Sequence, residues 1–377
     1  MIAPHGVLQL SRRAFLENVR VTRGQVQAQT QIALTLKANG YGHGWAQMAD
    51  LARAAGLSWV VTYNLDEAVQ VHQHQPELDI LVLSAWRYQP DYVLSAETHA
   101  ALASGRVRMT LITPDDARAW DAYVTRAQLG SVPVHVQLDC GLTRGGAAES
   151  DWLPLVTGLR AAKALRLEGL FAHFSHGECP GHPALLQQWQ RFQTFVRAHG
   201  AGLLTHIQNS GGTWSLGAQP VQMVRVGIAL YGLQAGSEPT PGLQPIARLL
   251  APIIALHEVA AGVGAGYGHT FVTTRPSRLA IVPVGYADGY PRALSNRAMV
   301  AVAGQLAPVV GRVSMDQIIV DVTRVAAAGV GTPVEVISPD PAAPHSVEKL
   351  AALCGTIGYE VATGFGPRLQ REVCDGF

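Results

Sequence analysis

Strand-like and helix-like segments alternate along the chain from residue 32 to residue 227. Short apolar runs rich in β-branched residues are separated by longer segments in which apolar positions recur with helical spacing. The eight runs lie at residues 32–37, 59–63, 80–85, 108–112, 132–139, 167–174, 204–209 and 223–227. The clearest helical segments lie at residues 45–56, 114–127 and 183–200. This rhythm predicts an α/β protein built on a (β/α)8 TIM-type barrel or on an open doubly wound sheet.

The ends of the predicted strands favour the barrel. Lys37, His173, Asn209 and Arg225 each lie at or near the end of an apolar run, and Arg144 follows another run closely. In a parallel barrel the carboxyl ends of all strands meet on one face, whereas an open sheet spreads them along an edge. We therefore predict a barrel whose functional site lies on that face.

The pattern changes at about residue 236. Helical periodicity gives way to short strands separated by Gly and Pro turns, with one helix at residues 346–354 and a strand-like tail. The sequence GSEPTPG at residues 236–242 is typical of a connector. We predict a barrel domain at residues 1–235 and a mainly β domain at residues 236–377.

Composition narrows the classes of partner. The 377 residues carry a formal net charge of +1 without a basic run, which argues against a nucleic acid or an anionic membrane as partner. The chain has no apolar stretch of membrane-spanning length and its first residues lack a signal peptide, so we expect a cytoplasmic protein that binds a small molecule. The four cysteines are scattered, which indicates neither a disulfide framework nor a metal site.

Lys37 is the first candidate for chemistry. The chain contains only three lysines, and Lys37 alone follows an apolar strand, ahead of the flexible polar rim predicted by ANGYGHG. A desolvated amine can lose its proton and form a Schiff base with an aldehyde, which a guanidinium does not do at neutral pH. The alternative is a lysine that reaches out from a strand end into solvent.

Other polar positions leave two interpretations open. QNSGGT could bind a phosphate through Ser210, with Gly227 and Ile228 after the next strand, or could form a simple turn. Arg225 could form a structural ion pair or face a cofactor, and His173 could be a core histidine or a functional one. Three further features are equally open. Asp139 with Arg144 could be a salt-bridged loop, Tyr267 in GAGYGHTF could be a turn tyrosine, and residues 283–292 could be a site rim or a subunit interface.

Taken together, the motifs resemble those of alanine racemases, which are fold-type III enzymes dependent on pyridoxal 5'-phosphate. The resemblance runs almost from end to end of the chain. The motifs that carry it are LKANGYGHG, LDCGLTRGG, AHFSH, QNSGGT, VRVGIALYG, GYGHTF, PVGYADGYPR, GRVSMDQ and TIGYEVAT. It implies an enzyme that interconverts L-alanine and D-alanine and supplies D-alanine for peptidoglycan, with a serine or broader-specificity racemase as the alternative.

The resemblance also implies the roles of individual residues. Lys37 would hold the cofactor covalently and exchange the proton of the D-enantiomer, and Tyr267 from the partner subunit would exchange that of the L-enantiomer. The enzyme would then be a homodimer with composite sites. Arg225 would face the pyridine nitrogen, and together with His173 it would form a polar chain to the tyrosine.

The remaining site residues follow from the same motifs. Arg144 would bind the phenolic oxygen of the cofactor and the substrate carboxylate, and the backbone N–H of Met315 from the partner would complete the carboxylate site. The phosphate contacts would be Tyr41, Ser210, Gly227, Ile228 and Tyr359. Asp316 would accompany Met315, and the access channel would be formed by Tyr286, Arg292, Arg312 and Ile357.

Some positions depart from the family pattern. Gln137 stands where many members carry a carbamylated lysine that holds the substrate-binding arginine, so a neutral amide or a small anion would replace that partner. Glu178 stands where an aspartate of the access channel is common, Thr143 replaces a glycine, and His269 replaces an arginine that follows the catalytic tyrosine. A pyridoxal-phosphate carrier protein and a decarboxylase of the same fold type are the competing classes. A carrier does not need Tyr267, and a decarboxylase requires a longer chain.

Overall fold

The computed structural model describes residues 5–87, 89, 93–235 and 240–377. Its strands, in chain order, are β1 Val7–Ser11, β2 Gln31–Thr35, β3 Trp59–Thr62, β4 Asp79–Ala85, β5 Val107–Leu111, β6 Val132–Gln137, β7 Leu165–Phe171, β8 Leu204–His206, β9 Met223–Val226, β10 Ala247–Pro252, β11 Ala255–Val259, β12 Gly264–Ala265, β13 Phe271–Val272, β14 Ser277–Val282, β15 Met299–Val302, β16 Gln305–Val310, β17 Ile318–Asp321, β18 Pro333–Ile337 and β19 Gln370–Cys374. Its α-helices are α1 Arg12–Arg23, α2 Lys37–Tyr41, α3 Trp45–Ala54, α4 Leu65–His74, α5 Ala96–Ala103, α6 Pro114–Arg126, α7 Glu149–Arg160, α8 Pro183–His199, α9 Ser210–Leu216, α10 Val347–Cys354 and α11 Gly358–Thr363.

The strands β2 to β9 form one parallel sheet of eight strands, in the order β8-β7-β6-β5-β4-β3-β2-β9. Two backbone hydrogen bonds bring its edges together, from Gln222 N–H to the Thr205 carbonyl at 3.0 Å and from Arg225 N–H to the Gln208 carbonyl at 2.9 Å. Helices cover the outside, so most strand residues are buried on both faces, as in β2, β3 and β5. The predicted (β/α)8 barrel is confirmed.

The second sheet has nine strands, in the order β11-β14-β17-β16-β15-β18-β10-β1-β19, and a separate ribbon pairs β12 with β13. The strand β1 lies in this sheet, antiparallel to β10 and parallel to β19. The predicted barrel domain at residues 1–235 therefore includes a strand that belongs structurally to the mainly β sheet. The boundary at residue 236 stays a prediction, since residues 236–239 of the proposed connector lie outside the described residues.

The helical predictions agree with the structure at their starts. Pro114 and Pro183 occupy the first turns of α6 and α8, where a missing N–H costs nothing, and Thr113 caps α6. The helix expected at residues 346–354 is α10, which Ser346 caps. The short helix α11 was not predicted. Among the described residues, no helix combines the length and the apolar character needed to cross a bilayer.

Candidate active site

Lys37 stands at the carboxyl end of the first barrel strand and begins α2, which is a left-handed turn and not a right-handed helix. The positive φ angles of Ala38, Asn39, Gly40 and Tyr41 are 54°, 54°, 61° and 49°. Such angles strain residues with a Cβ atom, so the surrounding contacts must hold the turn in place. The segment is thus a hydrogen-bonded turn, which differs from the flexible rim that its glycines predict.

Two charged side chains hold this turn. The carboxylate of Glu67 accepts the N–H of Ala38 at 2.8 Å and the N–H of Tyr63 at 2.7 Å. The guanidinium of Arg371 donates to the Gly42 carbonyl at 2.7 Å. The same guanidinium also donates to the carbonyls of Leu369, Phe365 and Gly366. Arg371 therefore connects the Lys37 turn to the C-terminal segment.

The pKa of Lys37 is lowered, first by burial and then by the positive charges of Arg144 and Arg225, while the charge of Glu67 opposes the shift. A lowered pKa increases the fraction of neutral amine, which is the nucleophilic form. The structure thus gathers three predicted site residues, Lys37, Arg144 and Arg225, on one face of the barrel.

Arg225 is buried and makes four hydrogen bonds to neutral acceptors. Its Nη1 donates to Nδ1 of His206 at 2.6 Å and to the His206 carbonyl at 3.3 Å. Its Nη2 donates to the Ala172 carbonyl at 2.8 Å and to Nδ1 of His173 at 3.1 Å. The contacts of the described residues include no ion pair for Arg225 and no hydrogen bond from its Nε–H. Burial lowers the pKa of Arg225 to about 9, which leaves the guanidinium charged at neutral pH.

The hydrogen bonds behind Arg225 fix the tautomers of two buried histidines. Because Nδ1 of His206 accepts from Arg225, its Nε2 carries the proton and donates to Nδ1 of His135 at 2.9 Å. The proton of His135 then lies on Nε2, which has no hydrogen-bond partner among the described residues. Burial lowers the pKa of His206 well below its usual range and that of His135 to about 3. Both rings are therefore neutral.

His173 follows the end of β7, and its Nδ1 accepts the hydrogen bond from Arg225. Its Nε2 lies 3.4 Å from the side-chain nitrogen of Asn209. Burial, followed by the charges of Arg225, Arg144 and Lys37, lowers its pKa to about 3. The structure thus places His173 among the predicted site residues, in its neutral form.

A second group of predicted residues lies where β9 ends and α9 begins. The hydroxyl of Ser210 accepts the N–H of Gly227 at 3.0 Å. A Cβ atom added to Gly227 would lie 2.6 Å from the hydroxyl oxygen of Tyr41, so only glycine permits this approach. The rings of Tyr41 and Tyr359 are 6.0 Å apart between centroids, and burial raises the pKa of both phenols. Ile228 is buried beside Gly227.

The loop that carries Arg144 is held by a carboxylate. Oδ1 of Asp139 accepts the N–H groups of Gly141, Leu142 and Thr143 at 2.9, 3.0 and 3.1 Å. The ion pairs among the described residues do not include Asp139 with Arg144, so the salt-bridge interpretation is not supported. The amide of Gln137 is close to this loop, because a Cβ on Gly145 would lie 3.8 Å from its nitrogen.

Tyr267 and Met315 lie in the mainly β region and face outwards. Tyr267 begins a short 3-10 turn, Tyr267–His269, and is 73% exposed, and Met315 is 53% exposed. The contacts of the described residues join neither side chain to the residues around Lys37 in the same chain. One chain therefore does not assemble all the predicted site residues.

Four residues at this site were missed from the sequence. His135 and His206 interrupt the apolar patterns of β6 and β8, and that interruption could have identified them. Glu67 and Arg371 carry no such signal. Their importance comes from contacts with backbone groups distant in sequence, which a local pattern does not encode.

Comparisons with known proteins match one family over nearly the whole chain. The family model described as "Alanine racemase, N-terminal domain" matches residues 10–235, and "Alanine racemase, C-terminal domain" matches residues 246–373. An alanine racemase of Desulfovibrio desulfuricans is 36% identical over 370 residues, which is 96% of each chain.

Solved structures show the same fold. The alanine racemase of Streptomyces coelicolor superposes with a TM-score of 0.88 at 30% identity and covers 99% of both chains. That of Bartonella henselae, with covalently bound pyridoxal phosphate, has a TM-score of 0.83 at 27% identity, with coverage of 98% of this chain and 99% of that one. The structure from Bacillus anthracis with bound L-Ala-P has a TM-score of 0.86 at 26% identity and covers 99% of this chain and 96% of that one.

A parallel barrel with a lysine at the carboxyl end of its first strand, joined to a mainly β domain, defines the class of pyridoxal-phosphate-dependent fold-type III enzymes. The family models and the relatives narrow this class further. The chain belongs to the alanine racemase family.

Proposed function

We propose that this protein interconverts L-alanine and D-alanine with pyridoxal 5'-phosphate bound to Lys37, and that the D-alanine supplies peptidoglycan. The observation that carries the proposal is the position of Lys37. It lies at the carboxyl end of the first barrel strand, its pKa is lowered by burial, and Arg144 and Arg225 lie near it. An amine in this state can bind an aldehyde cofactor and later accept a proton.

The residues present fit the cofactor. The phosphate would be held by Ser210, Tyr41 and the backbone of Gly227 and Ile228. These groups lie close together, since Gly227 contacts the hydroxyl of Ser210 and leaves room for the hydroxyl of Tyr41. Arg225 would donate its remaining Nε–H to the pyridine nitrogen. Bound pyridoxal phosphate supplies an electron sink that acidifies the Cα–H of an amino acid attached to it.

The guanidinium of Arg225 is a suitable hydrogen-bond donor to the pyridine nitrogen of the cofactor. Arg225 keeps its proton at neutral pH, since its pKa is about 9, and its other N–H groups are committed to His206, His173 and Ala172. It therefore donates a hydrogen bond without transferring the proton. A pyridine nitrogen that stays unprotonated withdraws electrons less strongly, which favours return of a proton to Cα over side reactions.

Two groups would hold the substrate carboxylate. Arg144 supplies a charged donor at the barrel face, and the N–H of Met315 from the partner supplies the other. With the carboxylate fixed, the Nζ of Lys37 would add or remove the Cα proton on one face of the carbon. Tyr359 lies against Tyr41 and would limit the space beyond the substrate Cβ, which favours alanine over larger amino acids.

The second base is assigned to Tyr267 of a partner subunit. The exposure of Tyr267 and Met315, and their separation from Lys37 within one chain, support a homodimer in which each site uses residues of both chains. The hydroxyl of Tyr267 would exchange the proton on the face opposite Lys37. His173, whose Nδ1 accepts a hydrogen bond from Arg225, would orient it through its Nε2–H.

The first experiment follows the Cα proton of L-alanine and of D-alanine in heavy water by NMR, with added pyridoxal phosphate. We expect deuterium uptake and conversion in both directions. Cofactor absorbance without exchange would refute the alanine assignment, and faster turnover of serine would favour the broader-specificity alternative.

A Tyr267→Phe variant tests the two-base assignment. It should retain the bound cofactor and lose racemisation, while a Tyr63→Phe variant at another exposed tyrosine should stay active. Full racemisation by Tyr267→Phe would refute the role of Tyr267. A carrier protein would show no exchange in any variant, and a decarboxylase would release carbon dioxide.

A further inference from the structure

Arg368 joins two loops of the mainly β region that no motif of the sequence connects. Its Nε and Nη2 donate to Oδ1 and Oδ2 of Asp288, both at 3.0 Å, in a bidentate pair. Its Nη1 donates to Oδ1 of Asp316 at 2.7 Å. Asp316 directly follows Met315, so Arg368 contacts the segment that the proposed function assigns to the substrate carboxylate.

The two loops also bind each other through their backbones. The N–H of Tyr286 donates to the Ser314 carbonyl at 3.1 Å, and the N–H of Ala287 donates to the Met315 carbonyl at 3.0 Å. A Cβ on Gly285 would lie 2.3 Å from the Met315 carbonyl oxygen, so the backbones of the two loops also approach closely at Gly285. These contacts place the peptide groups of residues 285–288 against those of residues 314–316.

The two loops are held together at a buried carboxylate, that of Asp288. Asp288 is 2% exposed, and its Oδ2 also accepts the N–H of Gly285 at 2.9 Å. Its backbone carbonyl accepts the N–H of Gly366, two residues before Arg368. A buried carboxylate requires a positive partner, and bidentate pairing fixes the orientation as well as the charge. Loss of Arg368 would leave the carboxylate with the Gly285 N–H alone among its described contacts.

We propose that Arg368 is a positioning residue that sets the Met315 N–H for the substrate carboxylate in the active site of the partner subunit. The inference rests on the proposed function, in which Met315 acts across the dimer. Arg368 does not touch the substrate. It acts through Asp316 and Asp288, which hold the Met315 segment and the Tyr286 segment in one arrangement.

The same residue has a competing role that the experiment must exclude. Arg371, three positions further on, holds the Lys37 turn of its own chain through Gly42. Arg368 could stabilise that turn indirectly through the C-terminal segment. The two roles differ in the subunit that they affect, so they can be separated by placing the variants on different chains.

The first test compares the steady-state kinetics of Arg368→Met and Arg368→Lys with those of the wild-type holoenzyme. Loss of one positioned hydrogen bond to the carboxylate should raise the KM for alanine about tenfold in Arg368→Met, with a smaller change in kcat. The absorbance of the bound cofactor should not change, and Arg368→Lys should recover part of the affinity. Arg53→Met, which breaks an exposed ion pair with Glu77, is the matched control and should behave as wild type.

The second test uses hybrid dimers of Lys37→Ala and Arg368→Met chains, purified through two different affinity tags. The only competent site then combines Lys37 of one chain with intact Arg368 of the other. The proposal predicts the wild-type KM for this hybrid. A KM as high as that of the Arg368→Met homodimer would overturn it, because Arg368 would then serve the site of its own chain. An unchanged KM in the Arg368→Met homodimer would also overturn it.

These results are distinct from failure of the proposed function. If the wild-type protein did not racemise alanine, the proposed function itself would be refuted. If the wild type racemises alanine and the hybrid keeps the raised KM, only the role of Arg368 is refuted.

Discussion

The contact between the Lys37 turn and helix α11 makes a quantitative prediction for Gly42→Ala. Gly42 has a φ of 78°, and a Cβ atom there would lie 2.1 Å from the Ala362 carbonyl oxygen. The left-handed conformation costs a residue with a Cβ about 1 kcal/mol or more, and forced overpacking costs about 1–3 kcal/mol. We expect Gly42→Ala to lower the free energy of unfolding by about 2–4 kcal/mol and to weaken cofactor binding, since the turn carries Lys37 and Tyr41.

Gly56 provides the matched control. Its φ of 72° is nearly the same, but a Cβ there would meet no atom within 4 Å. Gly56→Ala should therefore cost only the conformational part, about 1 kcal/mol. Urea denaturation of both variants, followed by tryptophan fluorescence, measures the difference, and titration with pyridoxal phosphate measures the affinity. Equal destabilisation of the two variants would refute the contact with Ala362 as the cause.

Two further predictions concern the charges of the site. Glu67→Ala removes the negative charge that opposes the pKa shift at Lys37, so the pKa of Lys37 should fall further. The pH dependence of Lys37 acetylation in cofactor-free protein measures this pKa, and Glu77→Ala, at an exposed carboxylate, is the control. A rise in the pKa of Lys37 would contradict the prediction. Gln137 has no amine that could form a carbamate, so bicarbonate should leave wild-type activity unchanged, whereas Gln137→Lys should gain a dependence on it. Stimulation of the wild type by bicarbonate would contradict the second prediction.

The parts of the fold that the sequence predicted depend on local signals. Strand length, apolar runs and helix caps such as Thr113 and Ser346 act over a few residues, so the barrel and most helices were predictable. The placement of β1 was not predictable in this way. Its partners, residues 247–250 and 370–374, are more than two hundred positions away, and pairing at that distance leaves no local pattern.

In the functional site, too, the features that were predictable depend on local signals, and the others depend on contacts between residues distant in sequence. Lys37, Arg144 and Arg225 were predictable because each lies at or near a strand end, where a barrel gathers its functional groups. The left-handed turn after Lys37 was not, because Ala38 has no preference for a positive φ. Its conformation depends on Glu67 and Arg371, which supply hydrogen bonds that outweigh the local strain. Likewise, the sequence left an ion pair open for Arg225, and the structure surrounds it with neutral acceptors instead.

The fully buried histidines predict how stability depends on acid. Burial lowers the pKa of His43 to about 4 and of His135 to about 3, and that of His206 lies well below its usual range. The folded protein therefore keeps these rings neutral, while the unfolded chain binds protons below a pH of about 6.5. Their contribution is fully present above that pH and is lost as the pH falls towards the folded pKa values. His43 and His135 should then each cost about 2 kcal/mol at pH 5 relative to pH 7.

Urea denaturation at pH 7 and pH 5 measures this loss. His135→Gln removes one of the buried rings, so the difference between the two pH values should shrink by about 2 kcal/mol. His257→Gln, at an exposed position of β11, is the control and should leave the difference unchanged. The same difference in His135→Gln as in the wild type would mean that His135 is not held neutral. The tautomer sequence from Arg225 through His206 to His135 would then be wrong, because it requires Nδ1 of His135 to accept a hydrogen bond.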